Sequence, residues 1–307
     1  MRRERIFFDS QIYSRAADGR IDTEKLRKAL RPHKYLCVLS PITLYELLNG
    51  IANSHTNKEF EKGQRALRLA WKFGGKNILH FPGRFIAKSI FGVQVGARFS
   101  PSNFRKWHEV AIRARDRQQL INGKVSWPSA TSKRETFGLD FNIIRNQVYQ
   151  GHTIHIQQIS GYLSQIKPDY FQLRQSGAQT LLSPGELSHL DRVLASEELR
   201  RSFVDGVRQN IGLQANPKAL SKSVEEVVSA RDAVFAHKKH MLRQALTTKY
   251  NFERDANAYH DMQQLFYLPD PAFLFVTEDG SLRYAIRDSS QVGQVITFGE
   301  FLARAMA

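Results

Sequence analysis

The sequence holds a single cysteine, Cys37, which excludes an internal disulfide framework and a cysteine-rich zinc centre. It lies in the apolar run YLCVLS (residues 35–40), where a thiol acts as a small buried hydrophobe. No apolar run approaches the roughly 20 residues needed to span a bilayer. The apolar segment after the basic N-terminus is cut by Asp9 too early for a signal peptide. A cytoplasmic protein with no membrane partner is expected. Fixed-period repeats, a phosphate-cradling glycine loop and a Ser-His-Asp set are all missing. Acids are scarce beside bases: 29 Asp and Glu against 45 Lys and Arg, a formal net charge of +16 over 307 residues. A chain this basic suits a polyanionic partner, nucleic acid before a membrane surface. Its 42% hydrophobic content is enough for a core and excludes wholesale disorder. The length allows one large domain or two of ordinary size.

What is present is a set of short apolar runs tipped with acids. RIFFDS (5–10) predicts a strand with Asp9 at its C-terminal end, followed by a helix over SQIYSRAADG. Asp22 or Thr23 caps a second helix, ended by Pro32. YLCVLS predicts strand 2, and Ser40-Pro41 then gives a strong helix start, with Glu46 one turn in. Residues 57–73 predict an amphipathic helix, and NILHF (77–81) a short third strand. From about residue 85 to 254 strand signals become rare and helices dominate, at about 102–122, 139–150, 153–166, 185–196, 197–211 and 221–248. The strand pattern resumes at AFLFVT (272–277), bounded by Pro271 and by Asp279-Gly280, as in a buried parallel strand. A helix over SLRYAIRD, a final strand QVITF (294–298) and a helix GEFLARAM close the chain.

Open α/β sheets bind ligands beyond the C-terminal ends of their strands. Asp9 and Asp279 hold that place, while Glu46 and Asp261 sit on adjoining helices, Asp261 lying 18 residues before Asp279. Oxygen-only ligands of high charge suit Mg²⁺ or Mn²⁺ rather than zinc. Such a site serves phosphodiester cleavage, and its cation offsets the repulsion between carboxylates and a polyanionic substrate. Each acid also has a plain alternative. Asp9 can cap the next helix, Asp279 can be turn chemistry, Glu46 can be a solvated surface residue, and Asp255 competes with Asp261.

Taken together, FFDS (7–10), SPITLYELL (40–48), DMQQL (261–265) and FVTEDGSL (275–282) resemble the motifs of PIN-domain nucleases. The resemblance implies a three-layer α/β/α PIN-like fold with a central parallel sheet. It covers residues 1–90 and 250–307, with 91–249 as a mostly helical insertion. It assigns the first, second, third and fourth acids to Asp9, Glu46, Asp261 and Asp279. Ser10 matches the small polar residue after the first acid, and Thr277 the hydroxyl of the last element. Compact members place the third acid at about the distance of Asp261 from the last element, which favours it over Asp255. The implied activity is Mg²⁺- or Mn²⁺-dependent endonucleolytic cleavage of RNA, single-stranded or structured. A toxin restrained by an inhibitory protein partner and a homo-oligomer are compatible roles.

The alternative function is RNA binding without catalysis, on a degenerate site. An aspartyl-phosphate enzyme would need an Asp at position 11, which is Gln. Arg105, Lys106 and Arg113, interleaved with Phe104 and Trp107, offer a nucleic-acid-binding face, as do Lys238, Lys239 and Arg243. The bland counterpart in each case is a solvated helix face, with Trp107 in the core. His152-x-x-His155 has a metal-compatible spacing but no third ligand, so ordinary surface or core histidines are the better reading.

Overall fold

A computed structural model describes residues 3–30, 34–96, 101–121, 125–128, 134–137, 141–176, 184–247 and 257–306. Asp255 lies outside them. The N-terminal part runs β1 (Glu4–Phe8), α1 (Ser10–Ala17), α2 (Thr23–Ala29), β2 (Tyr35–Cys37), α3 (Pro41–Ala52), α4 (Asn57–Gly74) and α5 (Pro82–Ser89). The middle continues with α6 (Pro101–Arg113), α7 (Arg117–Ile121), β3 (Val125–Pro128), β4 (Arg134–Phe137), α8 (Phe141–Ile166), α9 (Tyr170–Gln175) and α10 (Pro184–Leu194). Then come α11 (Glu197–Asn210), α12 (Pro217–Leu220), α13 (Val224–Ala230) and α14 (Asp232–Thr247). The chain closes with α15 (Asn257–Leu265), β5 (Phe273–Val276), α16 (Gly280–Ala285), β6 (Val295–Ile296) and α17 (Phe298–Met306).

The protein is α/β and mostly helical, around a four-stranded sheet of order β2-β1-β5-β6 in which every pairing is parallel. Strand β1 is central, with Ile6 registered on Cys37 to one side and Leu274 to the other. Both faces of the sheet are buried, which explains why residues 6–8 of β1 and all of β5 are apolar rather than alternating. Ile6, Phe8, Leu274 and Val276 join one apolar cluster with α1, α3, α4, α6 and α17. Phe7, Phe273 and Phe275 join a second with α5, α11, α13, α14 and α15. Phe7 stacks on Phe275 with ring centroids 4.8 Å apart and meets Tyr267 edge-on at 5.6 Å. Along β5 aromatic rings alternate with aliphatic side chains, Phe273 and Phe275 to one face and Leu274 and Val276 to the other.

The segment 91–249 therefore supplies residues to the packing on both faces. Phe104, Trp107 and Leu120 lie in the first cluster, and Phe203, Val228 and Phe235 in the second. A third cluster, with Tyr162, Leu163, Leu190 and Leu242, ties α8 and α10 to α14. Several local expectations are corrected. NILHF forms only a parallel bridge between Ile78 and Leu39, because Pro82 at once opens α5. The two helices expected within 139–166 are one, α8. Strands β3 and β4 pair antiparallel where strand signals are rare, Val125 opposite Phe137. Cys37 is free and buried, and burial pushes its thiol up to about 12.

Candidate active site at the carboxyl edge of the sheet

In a parallel sheet all strands deliver their C-terminal ends to one edge. The chain leaves β1 toward β2 on one side and returns to β5 on the other, so the strand order switches between β1 and β5. The crevice at such a switch is where α/β sheets take ligands. Asp9 stands there, following Phe8 directly, its N–H donating to the Val276 carbonyl at 2.9 Å. It is 5% exposed, and its helix-capping alternative is not realised, since its carboxylate makes no cap bond to α1. Instead Thr277 Oγ1 donates to Asp9 Oδ2 at 2.8 Å and Ser10 Oγ to Oδ1 at 3.2 Å. Both residues matched as supporting hydroxyls in the sequence therefore touch the first acid.

Thr277, fully buried, also accepts from the Asp279 N–H at 3.0 Å and so links the two strand tips. Asp279 is the N-cap of α16, its Oδ1 accepting from Ser281 N–H at 2.7 Å and Leu282 N–H at 3.1 Å. The turn-chemistry role weighed for it is thus real. Thr277→Val is expected to cost about 1–3 kcal/mol of stability, because it leaves an Asp9 oxygen and the Asp279 N–H without a partner. Thr277→Ser should recover most of it. Urea denaturation of both variants checks this, and an equal loss in both would assign the effect to packing of the γ-methyl instead.

Glu46 and Asp261 reach the same crevice from α3 and α15, which pack side by side. The helices are pinned by Gln264 Nε2 donating to Thr43 Oγ1 at 2.9 Å, while the Thr43 hydroxyl donates to the Phe8 carbonyl at 2.9 Å. Thr43 and Glu46, like Asp261 and Gln264, are three apart on one helix face, so the pins and the acids share a side. His260 places Nδ1 3.5 Å from Glu46 Oε1 and its ring edge-on to Tyr45. Thr43, His260 and Gln264 were not singled out in the sequence. The spacing of three from an acid was the available signal for two of them. Glu46 Oε2 is buried without a hydrogen-bond partner.

The electrostatics tie the four acids together. Burial, then the charge of Glu46, pushes Asp9 up to about 6, against the opposing hydrogen bond from Thr277. Asp261 is held well above the ordinary carboxylate range by burial and by the charges of Asp9, Glu46 and Asp279. Among the described residues no Lys or Arg forms an ion pair with Asp9, Glu46 or Asp261. A group of buried carboxylates short of positive charge, one with an orphaned oxygen, fits a hard divalent cation. The side chains nevertheless do not close on a common centre: among the described residues no three His, Cys, Asp or Glu side chains form a group that could hold a metal ion. Asp9 is turned to hydroxyls, Asp279 to amides and Glu46 to an imidazole.

The remaining sequence candidates separate clearly. Arg105, Lys106 and Arg113 are exposed on α6, but Phe104 and Trp107 face inward, meeting edge-on at 5.0 Å. That face carries charge without stacking rings. Lys238 is corrected outright: it is 7% exposed, because α14 is buried along much of its length. Lys239 is half-buried over the Phe235 ring, and Arg243 is exposed and paired with Asp191 at 2.5 Å. His155 is a buried histidine against Tyr259, held neutral by burial and by Lys238. Among the described residues no helix is long and apolar enough to cross a membrane. Comparison of the chain with protein-family models, with curated proteins and with solved structures finds no match.

Proposed function

We propose that the chain is a metal-dependent endoribonuclease with a three-layer α/β/α PIN-like fold. The observation that carries this is the gathering of Asp9, Glu46, Asp261 and Asp279 at the strand switch, where burial first and the neighbouring carboxylates second raise the carboxyls of Asp9 and Asp261. Among the described residues no Lys or Arg pairs with Asp9, Glu46 or Asp261, and an uncompensated group of this kind is costly to the fold and collects where function requires it. Mg²⁺ or Mn²⁺ at these oxygens would supply positive charge to a phosphodiester and a nucleophilic water. Asp9, oriented by Thr277 and Ser10, and Asp261 would be its principal ligands, with Asp279 and Glu46 completing the oxygen set. His260, with Nδ1 3.5 Å from Glu46 Oε1, would help to orient that carboxylate. The net charge of +16 draws RNA toward this acidic crevice.

The second reading is RNA binding without cleavage, favoured by the side chains not closing on a common centre. Purified chain incubated with single-stranded and structured RNAs should cut them in Mn²⁺ or Mg²⁺ and not in EDTA. Cleavage that survives EDTA would overturn the proposal. Salt-dependent RNA binding with no cleavage in either cation would establish the second reading.

A further inference from the structure

Helix α15 has two working faces. His260, Asp261 and Gln264 turn toward α3 and β1, whereas Tyr259, Met262, Gln263 and then Phe266 follow the i, i+3, i+4, i+7 stripe on the other side. That second stripe forms one wall of a cavity of about 650 Å³, closed by α5, α8, α11 and α14. A volume of this size suits a small organic molecule.

Two buried cations line the cavity, with the part-buried Arg84 as a further basic residue in its wall. Arg231, between α13 and α14, is 1% exposed, and its Nε and one terminal nitrogen, Nη1, have no hydrogen-bond partner. Lys238 is 7% exposed, its ammonium donating to Gln158 Oε1 at 3.3 Å. Among the described residues neither forms an ion pair. The two flank one ring, with the guanidinium 5.3 Å and the ammonium 5.2 Å from the centroid of Phe203, and the guanidinium also lies 4.1 Å from that of Phe266. His155 adds a buried Nε2 without a partner. Buried charge persists in proteins when it is paired, and among the described residues no carboxylate lines the cavity. Burial pulls Arg231 down to about 9, and burial with the charge of Arg231 pulls Lys238 down to about 7. An anion in the cavity would relieve both.

We propose that this cavity is a binding site for a small aromatic phosphate monoester, its phosphate held by Arg231 and Lys238 and its ring packed among Phe81, Phe203 and Phe266. A guanidinium fork beside a second cation matches a dianionic phosphate in charge and geometry. The aromatic walls supply the surface for the body of the ligand. The site is distinct from the acidic crevice, and its existence does not depend on the nuclease proposal.

The test is calorimetry on the full chain in EDTA, with adenosine 5′-monophosphate and phenyl phosphate as probes and adenosine and citrate as controls. At least one phosphate ester should bind saturably, and neither control should. Arg231→Met and Lys238→Met should each weaken that binding at least about tenfold, while Asp9→Asn leaves it unchanged. Arg231→Met should also raise the melting temperature of the unliganded chain, which separates loss of the site from loss of the fold. Absence of saturable binding tighter than about 10 mM for both esters would overturn the proposal. So would binding that survives both Met variants or is abolished by Asp9→Asn. Citrate binding in place of the esters would overturn the assignment to phosphate.

Discussion

Asp9→Asn is expected to abolish cation-dependent RNA cleavage, by at least about a hundred- to a thousandfold, in a protein that remains folded. The substitution keeps the shape of the side chain. A carbonyl oxygen can still accept from Thr277 Oγ1, and the amide can turn to the Ser10 hydroxyl, which accepts as readily as it donates. What disappears is the negative charge at the tip of the central strand, where β1 and β5 meet. Asp261→Asn should have a comparable effect, since Asp261 shares that field. The measurement is cleavage of a labelled RNA in Mn²⁺ alongside circular dichroism of each variant. Near wild-type cleavage by Asp9→Asn would remove the basis for an acid-held cation.

The same substitution should stabilise the cation-free protein at neutral pH, by up to about 3 kcal/mol. Asp9 has a carboxyl near 6 in the fold against an ordinary value of 3.8. The folded chain thus binds this proton more tightly than the unfolded one. Its favourable contribution is complete below about pH 4 and is lost as pH rises through 6. Asn never ionises, so the variant should gain on wild type between about pH 4 and 7 and hold that gain above. The difference between the two proteins is the quantity to follow, because the buried histidines act in the opposite sense. His108 and His237 are pulled down by burial to about 4 and about 3, so they favour the fold as pH rises through 6.5. Urea denaturation of both proteins in EDTA at pH 4 and pH 7.5 isolates the contribution of Asp9. Mn²⁺ at pH 7.5 should raise wild type toward the variant and leave the variant nearly unmoved. An Asn variant less stable than wild type at pH 7.5 would mean that the Asp9 charge is already compensated inside the fold.

Much of the sheet could be seen in the chain because it is buried on both faces, so β1 and β5 announce themselves as unbroken apolar runs. Helix α3 was equally plain, Ser40 Oγ accepting from the Ile42 N–H above Pro41. Asp9, Thr277 and Asp279 were legible because a parallel strand fixes where its last residue goes. NILHF was not, since its apolar content says nothing about the helix start at Pro82. The role of residues 91–249 was hidden for a different reason. Amphipathic periodicity shows that a helix such as α11 has an apolar face but not which surface that face meets, and Phe203 meets the sheet-side cluster. Basic residues mislead most. In HKKH (237–240) the pattern of a solvated patch conceals His237 at 4% exposure and Lys238 at 7%, because only tertiary packing determines which turn of α14 is covered.

The pairing of β1 with β5 has a consequence for how the molecule comes into being. Thr277, whose hydroxyl orients Asp9, is synthesised 268 residues after it. The edge of β1 that takes β5 therefore has no partner until that strand has been made, and closing so distant a contact is slow. The junction of Asp9 with Thr277 and Asp279 is thus absent from any shorter nascent chain and forms only when β5 docks on β1.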